Sequence, residues 1–319
     1  MPGSVGDPEV LTPVELLRSL AVFAEPPGPE HARLTEVLGL ATAPTSSDYS
    51  DIFLFQLYPY ASVHLGPEGM MGGEARDRVA GFWGALGQIP PAEPDHLAAL
   101  LGLYVGLAER EAALGGAERT LVRQSRHALL HEHLAPWVFA FLHRVGELTE
   151  GAYGSWAALL SEVLRHEVVA FGYGGDALPL HLRLAEALPD PRTEGGKAFL
   201  EGLLAPVRTG VILTRADLAR VSGALDLGLR AGERRYALEH LLAQEPAAVL
   251  RALAVEAGRQ GAIHETRRTW LGSVAAFFAQ RARVTKTVLD ELAVDGGAPL
   301  QAAEDHPTHG GEASLGASA

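Results

Sequence analysis

The chain contains no cysteine, which excludes disulfides, iron–sulfur clusters, thiolate zinc and cysteine nucleophiles and is compatible with a reducing compartment. Long hydrophobic runs are missing as well. The longest apolar stretch is the 12 residues from Leu97 to Ala108, too short to span a bilayer. The opening MPGSVGDPEV has neither the basic nor the apolar region of a secretory signal, so a soluble, cytoplasmic protein without stable membrane insertion is expected. No serine is framed by glycines as in a nucleophile elbow. The run Gly172-Tyr173-Gly174-Gly175 lacks the lysine and the strand-before, helix-after setting of a phosphate loop and reads as a linker.

What remains is the composition of a globular protein. Hydrophobic residues make up 47% and charged residues 20% of 319, enough for a substantial core in one large domain or two smaller ones. The net charge of −13 is unevenly spread: residues 1–199 carry 13 Lys+Arg against 25 Asp+Glu, whereas residues 200–292 carry 13 against 10. An acidic front portion repels nucleic acid and anionic membranes and attracts basic partners, although acidity also serves solubility alone.

Read in order, the pattern is helix after helix. Residues 1–10 read as a flexible N-terminus. Thr12-Pro13 opens a helix carrying Leu16, Leu20 and Phe23 at helical spacing, closed by Pro26-Pro27-Gly28-Pro29. A short helix with Leu34, Val37 and Leu38 follows, then a loop with Asp48 as a candidate cap and an aromatic run from Tyr49 to Tyr60. Ile52-Phe53-Leu54-Phe55 has no partner strand nearby and is assigned to helix. Glu118 to Arg144 reads as one long helix, kinked at Pro136, with Leu121, Val122, Leu129 and Leu130 inward. Ser155 to Val169 repeats the pattern. Leu188 to Gly196 marks a second boundary, and Thr214 with Asp217 forms a capping box. Pro246 fits a helix start, and Trp270, Val274, Phe277, Val284 and Val288 mark a long final helix. Residues 293–319 read as a disordered tail.

The stretch FWGALGQIPPAEPDHLAALLGLYVGLAER joins an aromatic helix end to a new apolar helix through Glu93-Pro94-Asp95-His96. Pro94 suits a helical first turn, so this signature lies at a helix start, with Asp95 and His96 expected on its exposed end. Read locally, Glu93 and Asp95 could simply complement the positive end of the helix dipole. Three further blocks accompany it: Phe53-Leu54-Phe55 with Tyr58-Pro59-Tyr60-Ala61-Ser62-Val63, Phe82-Trp83-Gly84-Ala85-Leu86-Gly87, and His131-Glu132-His133-Leu134-Ala135-Pro136-Trp137.

These blocks, in this order, resemble the TorD/DmsD/NarJ-type chaperones of molybdoenzyme maturation. The resemblance spans about residues 50 to 140 and implies an all-α, multi-helix TorD-like fold. Residues 11–190 would form that domain and residues 197–292 an additional C-terminal helical portion packed on it. It further implies a non-enzymatic protein without a cofactor of its own, monomeric or homodimeric. Such a chaperone binds the apo catalytic subunit of a molybdenum oxidoreductase, often at a twin-arginine signal segment, and holds it for cofactor insertion. In that reading Glu93 and Asp95 meet the guanidinium groups, Tyr58, Tyr60, Trp83, Leu97 and Trp137 form the apolar wall, and His96 orients the peptide or adjusts a neighbouring carboxylate.

Two rival readings are physically possible. Glu93 and His96 have the Glu-x-x-His spacing of di-iron bundles but no second copy, and His127, His131 and His133 include an i, i+4 pair suited to zinc without a completing ligand. Residues 213–235 have a passing likeness to a helix-turn-helix with Arg234-Arg235 on its second helix. The mild basicity of that region and the acidity of the whole chain argue against nucleic acid.

Overall fold

The computed structural model describes residues 11–172 and 177–295. The expected N-terminal segment 1–10, most of the glycine linker and nearly all of the expected tail 293–319 lie outside the described residues. The described chain is all-α, with one isolated β-bridge between Tyr60 and His96.

Helix α1 (Pro13–Val22) starts in a capping box, Thr12 accepting from the Glu15 amide while the Glu15 carboxylate accepts from the Thr12 amide at 2.8 Å. Helix α2 (Pro29–Val37) is tied back by His31, whose Nδ1 accepts from Gly28 N–H and whose Nε2 meets the Val22 carbonyl. Val37, near its end, is 53% exposed. Helix α3 (Ser46–Tyr49) is capped by Thr45, with Asp48 reaching back from the first turn. Thr45 takes the cap because its backbone is extended, whereas Asp48 is already helical. The aromatic run continues as a wider π turn, Ser50–Leu54, which turns Phe53 into the core and leaves Leu54 and Phe55 about half exposed.

Short helix α4 (Ala61–Leu65), surface helix α5 (Gly73–Ala85) and apolar helix α6 (Leu97–Ala113) follow, with α1 lying along α6. The expected single helix 118–144 is instead α7 (Gly116–Ala128), a π turn at Leu129–Leu134, and α8 (Ala135–Leu148). Pro136 has no N–H for the carbonyl four residues back, so the ladder slips just before it. The same segment corrects Leu121, which faces solvent at 65% exposure. Helix α9 (Ala152–Phe171) packs on α8 and places Trp156 Nε1 on the Leu20 carbonyl at 2.8 Å. Phe53 touches Tyr153 and Trp156 edge to face and stacks on Phe141, closing the centre of the core.

After α10 (Leu180–Leu184), short helices α11 (Pro191–Glu194), α12 (Gly196–Leu203) and α13 (Pro206–Thr209) lead to α14 (Arg215–Leu225), α15 (Arg234–Gln244), α16 (Pro246–Thr266) and α17 (Arg268–Val294). The buried side chains form two clusters. One runs from Leu17 to Leu182 and takes in Val207, Ile212 and Leu271 to Phe278; the other joins Leu188 to Ala257 with Ala282 to Ala293. Helix α17 therefore belongs to both. Gly272 breaks its first turn at φ 53°, and Gly210 (φ 71°) lets the preceding loop approach so closely that a Cβ there would meet the Phe278 carbonyl at 2.4 Å.

A buried ionic group joins the two clusters. Arg144 on α8, 3% exposed, donates from Nη2 to Asp217 on α14 at 2.5 Å and approaches Glu256 on α16 at 3.6 Å. Asp217 also completes the Thr214 capping box expected from the sequence, and Glu147 ties Arg144 to Arg259. A buried ion pair contributes modestly as a pair, but removing one member strands the other charge. Asp217→Ala is expected to cost about 3 kcal/mol or more, read as a lower urea midpoint with an unchanged slope.

Candidate functional site

The Glu93-Pro94-Asp95-His96 signature is the seam between the 58–65 segment and α6. Ala61 N–H donates to the Asp95 carbonyl at 2.9 Å and Leu97 N–H to the Pro59 carbonyl at 2.8 Å, giving a two-residue antiparallel bridge inside an otherwise helical protein. Asp95 turns its carboxylate inward, where Oδ2 accepts from Ser62 N–H at 3.0 Å in the first turn of α4. It therefore caps a helix remote in sequence, supplying an acceptor to an amide that has no partner within the helix. His96 caps its own helix: Nδ1 accepts from Ala98 N–H, so the ring proton sits on Nε2. Asp95 and His96 were expected on the exposed helix end, yet both are buried, because each meets a backbone amide left over at a helix start.

Glu93 alone of the three points outward. It is exposed and accepts from the Tyr60 hydroxyl at 2.7 Å, while the Tyr60 ring lies edge-on to His96 at 4.8 Å. Burial, the Glu93 hydrogen bond and the nearby carboxylates raise the Tyr60 pKa, keeping the phenol a donor. Burial lowers the His96 pKa, with Glu93, Glu25 and Asp95 pulling the other way. Trp83, half-buried at the end of α5, donates from Nε1 to the Pro94 carbonyl at 3.4 Å, and Arg76 Nη2 holds the Ala92 carbonyl at 3.1 Å. Together these fix a loop whose tip carries Ile89, 93% exposed.

Of the eight residues named from the sequence, Tyr60, Trp83, Glu93, Asp95, His96 and Leu97 come together at this seam. Tyr58 is half-buried beside it and offers its carbonyl to His64 Nε2 at 3.1 Å. Leu97 (0% exposed) and Trp137 (2%) belong to the core. Trp137 lies under the seam through His64, the two rings stacked at 5.0 Å, and donates from Nε1 to the His133 carbonyl. Glu25 was missed: its charge reaches both Tyr49 and His96, although it is far from Glu93 in sequence and no linear pattern marks it.

The rival constellations are occupied otherwise. Among the described residues no group of three His, Asp or Glu is arranged to hold a metal ion. The His127 and His131 rings stack at 5.8 Å, and His131 Nε2 meets the Ala177 carbonyl. In the helix-turn-helix-like segment the Arg234 guanidinium turns inward to the Leu213 carbonyl, Arg235 pairs with Glu239 and Glu201, and Arg220 pairs with Asp217. All three thus hold a partner within the fold, although the Arg220 side chain stays largely exposed. No described helix is long and apolar enough to cross a membrane.

Residues 29–143 match the family model described as nitrate reductase delta subunit, a segment that runs from α2 into α8 and contains all eight named residues. No curated protein and no solved structure matches the chain.

Asp95→Ala removes the acceptor for the Ser62 amide and is expected to destabilise the protein by about 1–2 kcal/mol, seen as a lower melting temperature. Burial holds the imidazoles of His64 and His133 at about 4, below their usual 6.5. The unfolded chain takes up these protons first, so the stabilisation is complete above pH 6.5 and is lost as the pH falls towards 4. Each group contributes a slope of about 1.4 kcal/mol per pH unit within that window. In His64→Gln the pH dependence of the urea midpoint is expected to flatten by one proton's share.

Proposed function

With a domain of the NarJ/TorD-type chaperone family over residues 29–143 as the premise, we propose that the protein is a cytoplasmic chaperone of molybdoenzyme maturation. It binds the apo catalytic subunit of a molybdenum oxidoreductase at its N-terminal segment and holds it for cofactor insertion. The family match is the observation that carries this reading. The family is one of chaperones, and no catalytic step is proposed.

The receptor is the outward side of the seam. Glu93 is exposed and already oriented by Tyr60, so a guanidinium meets a carboxylate whose rotamer freedom is reduced before binding. Charge-assisted pairing to a planar guanidinium favours arginine over lysine, which suits a twin-arginine signal. Tyr58, Tyr60 and Trp83 offer half-buried rings, and Ile89 an exposed aliphatic side chain, to the apolar stretch that follows such a pair. Asp95, His96, Leu97 and Trp137 act from beneath by fixing the two backbone segments that carry those groups.

A labelled signal peptide containing an arginine pair, titrated by fluorescence anisotropy, tests the arrangement. Glu93→Gln is expected to weaken binding roughly tenfold, as loss of one charge-assisted hydrogen bond implies, and a peptide with a lysine pair is expected to bind less tightly than the arginine form. Equal affinity of wild type and Glu93→Gln would remove the signature from the receptor. Copurification of a different class of companion, with no molybdoenzyme subunit, would remove the function.

A further inference from the structure

The sulfur of this chain is confined to three methionines, Met1, Met70 and Met71, since cysteine is absent. Among the described residues Met70 and Met71 are therefore the only thioethers, and both face solvent, 67% and 57% exposed, in the loop between α4 and α5. Methionine more often fills irregular gaps in a core, where oxidation disrupts the packing. Here neither side chain takes part in a buried cluster.

The loop is nevertheless held in place, by contacts that leave both thioethers out. Arg208 Nε donates to the Pro67 carbonyl at 2.9 Å, Gly69 N–H to the Gly66 carbonyl at 3.2 Å, and Gly72 N–H to the Ser62 hydroxyl oxygen at 3.2 Å. Gly69, at φ 62°, lies directly against the backbone of Leu204 and Ala205, a close approach that no side chain would allow. Two large apolar side chains are thus displayed on a fixed backbone, and a polar atom added to either displaces nothing beneath it. Ser62 is also the residue whose amide donates to Asp95, so the loop adjoins the seam through one shared residue.

We propose that Met70 and Met71 are a reversible oxidative modification site, each taking one oxygen atom from hydrogen peroxide. A sulfur lone pair attacks one peroxide oxygen, the O–O bond breaks and water leaves; the sulfur is oxidised by two electrons to the sulfoxide as the peroxide is reduced. Glu68 and Glu74, exposed on either side of the pair, do not repel this neutral oxidant. Return is the work of methionine sulfoxide reductases, in which two thiols become a disulfide and the oxygen leaves as water. The modification exchanges an apolar surface for a polar one beside the seam with the fold unchanged, and so lowers the affinity for the apolar stretch of a bound peptide. This last consequence rests on the receptor reading above, whereas the modification itself does not.

The full chain is treated with hydrogen peroxide and followed by peptide mapping in a mass spectrometer, by thermal melting and by anisotropy with an arginine-pair peptide that carries a leucine-rich segment. Met70 and Met71 are expected to take up oxygen at a rate within about threefold of N-acetylmethionine amide, and a sulfoxide reductase with a thiol to reverse it. The melting temperature is expected to move by no more than about 2 °C, as for a surface substitution. Oxidation is expected to weaken peptide binding about tenfold, and the Met70→Leu/Met71→Leu variant to bind as the reduced protein does and to keep that affinity in peroxide. Oxidation of the pair much slower than that of the free amide overturns the proposal, as does a loss of helical circular dichroism on oxidation, or peptide affinity that oxidation leaves unchanged. Failure of the reduced protein to bind the peptide counts against the receptor reading, and the rate and the melting temperature then decide the modification site on their own.

Discussion

Everything near the seam depends on one buried carboxylate. Asp95 is 2% exposed, and the amide of Ser62 is its hydrogen-bond donor. The cost of removing that charge from water is met because the first turn of α4 presents amides that nothing else satisfies. The same residue offers its carbonyl to Ala61, so side chain and backbone together bind α4 to the entrance of α6. Two chain segments more than thirty residues apart are thereby joined without a strand partner on either side. The outward position of Glu93 and Tyr60 follows from this clasp.

The distribution of charge follows a related logic. The chain has only two lysines, Lys197 and Lys286, and its remaining basic side chains are arginines. Many of them are internal connectors: Arg144 joins two hydrophobic clusters, Arg126 pairs with Glu111 and Glu167 beneath Phe171, and Arg208 and Arg234 donate to backbone carbonyls. A guanidinium suits this use because it offers several donors in a fixed plane and sheds water more readily than an ammonium. With so many cations turned inward, the surface of the front portion is left acidic, and an acidic face draws basic partners by long-range attraction.

The helical order was legible in the sequence wherever local chemistry decides: Thr12-Pro13, Thr214 with Asp217, Pro246, and the apolar run from Leu97. It was least legible where two elements far apart in sequence decide together. Asp95 was expected outward because a carboxylate at a helix start usually serves its own helix, and here it serves another. Leu121 was expected inward together with Val122, but neighbours on a helix are about 100° apart and only Val122 faces the core. Trp137 was grouped with the apolar wall because aromatics beside a motif look like a surface; its indole instead fills the core against His64 and Phe141. Glu25 left no trace in any spacing, since it matters through neighbours that only the fold assembles.

The C-terminal helices bear on the seam from behind. Ala216 N–H donates to the Gln56 side chain at 3.0 Å, Arg208 Nε holds the Pro67 carbonyl at 2.9 Å, and Gly69 lies so close to Leu204 that a Cβ would meet its carbonyl at 2.6 Å. These three contacts span the segment whose front carries Tyr58 and Tyr60, and the buried Arg234 acts electrostatically on Tyr58 and on His64 beneath it. A loop held only by the Asp95 clasp would be fixed along one line and free to pivot about it. Contacts from α13, α14 and the loop after α12 add points off that line and remove the pivot. The C-terminal portion thus contributes rigidity to a surface it does not itself line, and preorganisation of this kind is what the proposed receptor requires.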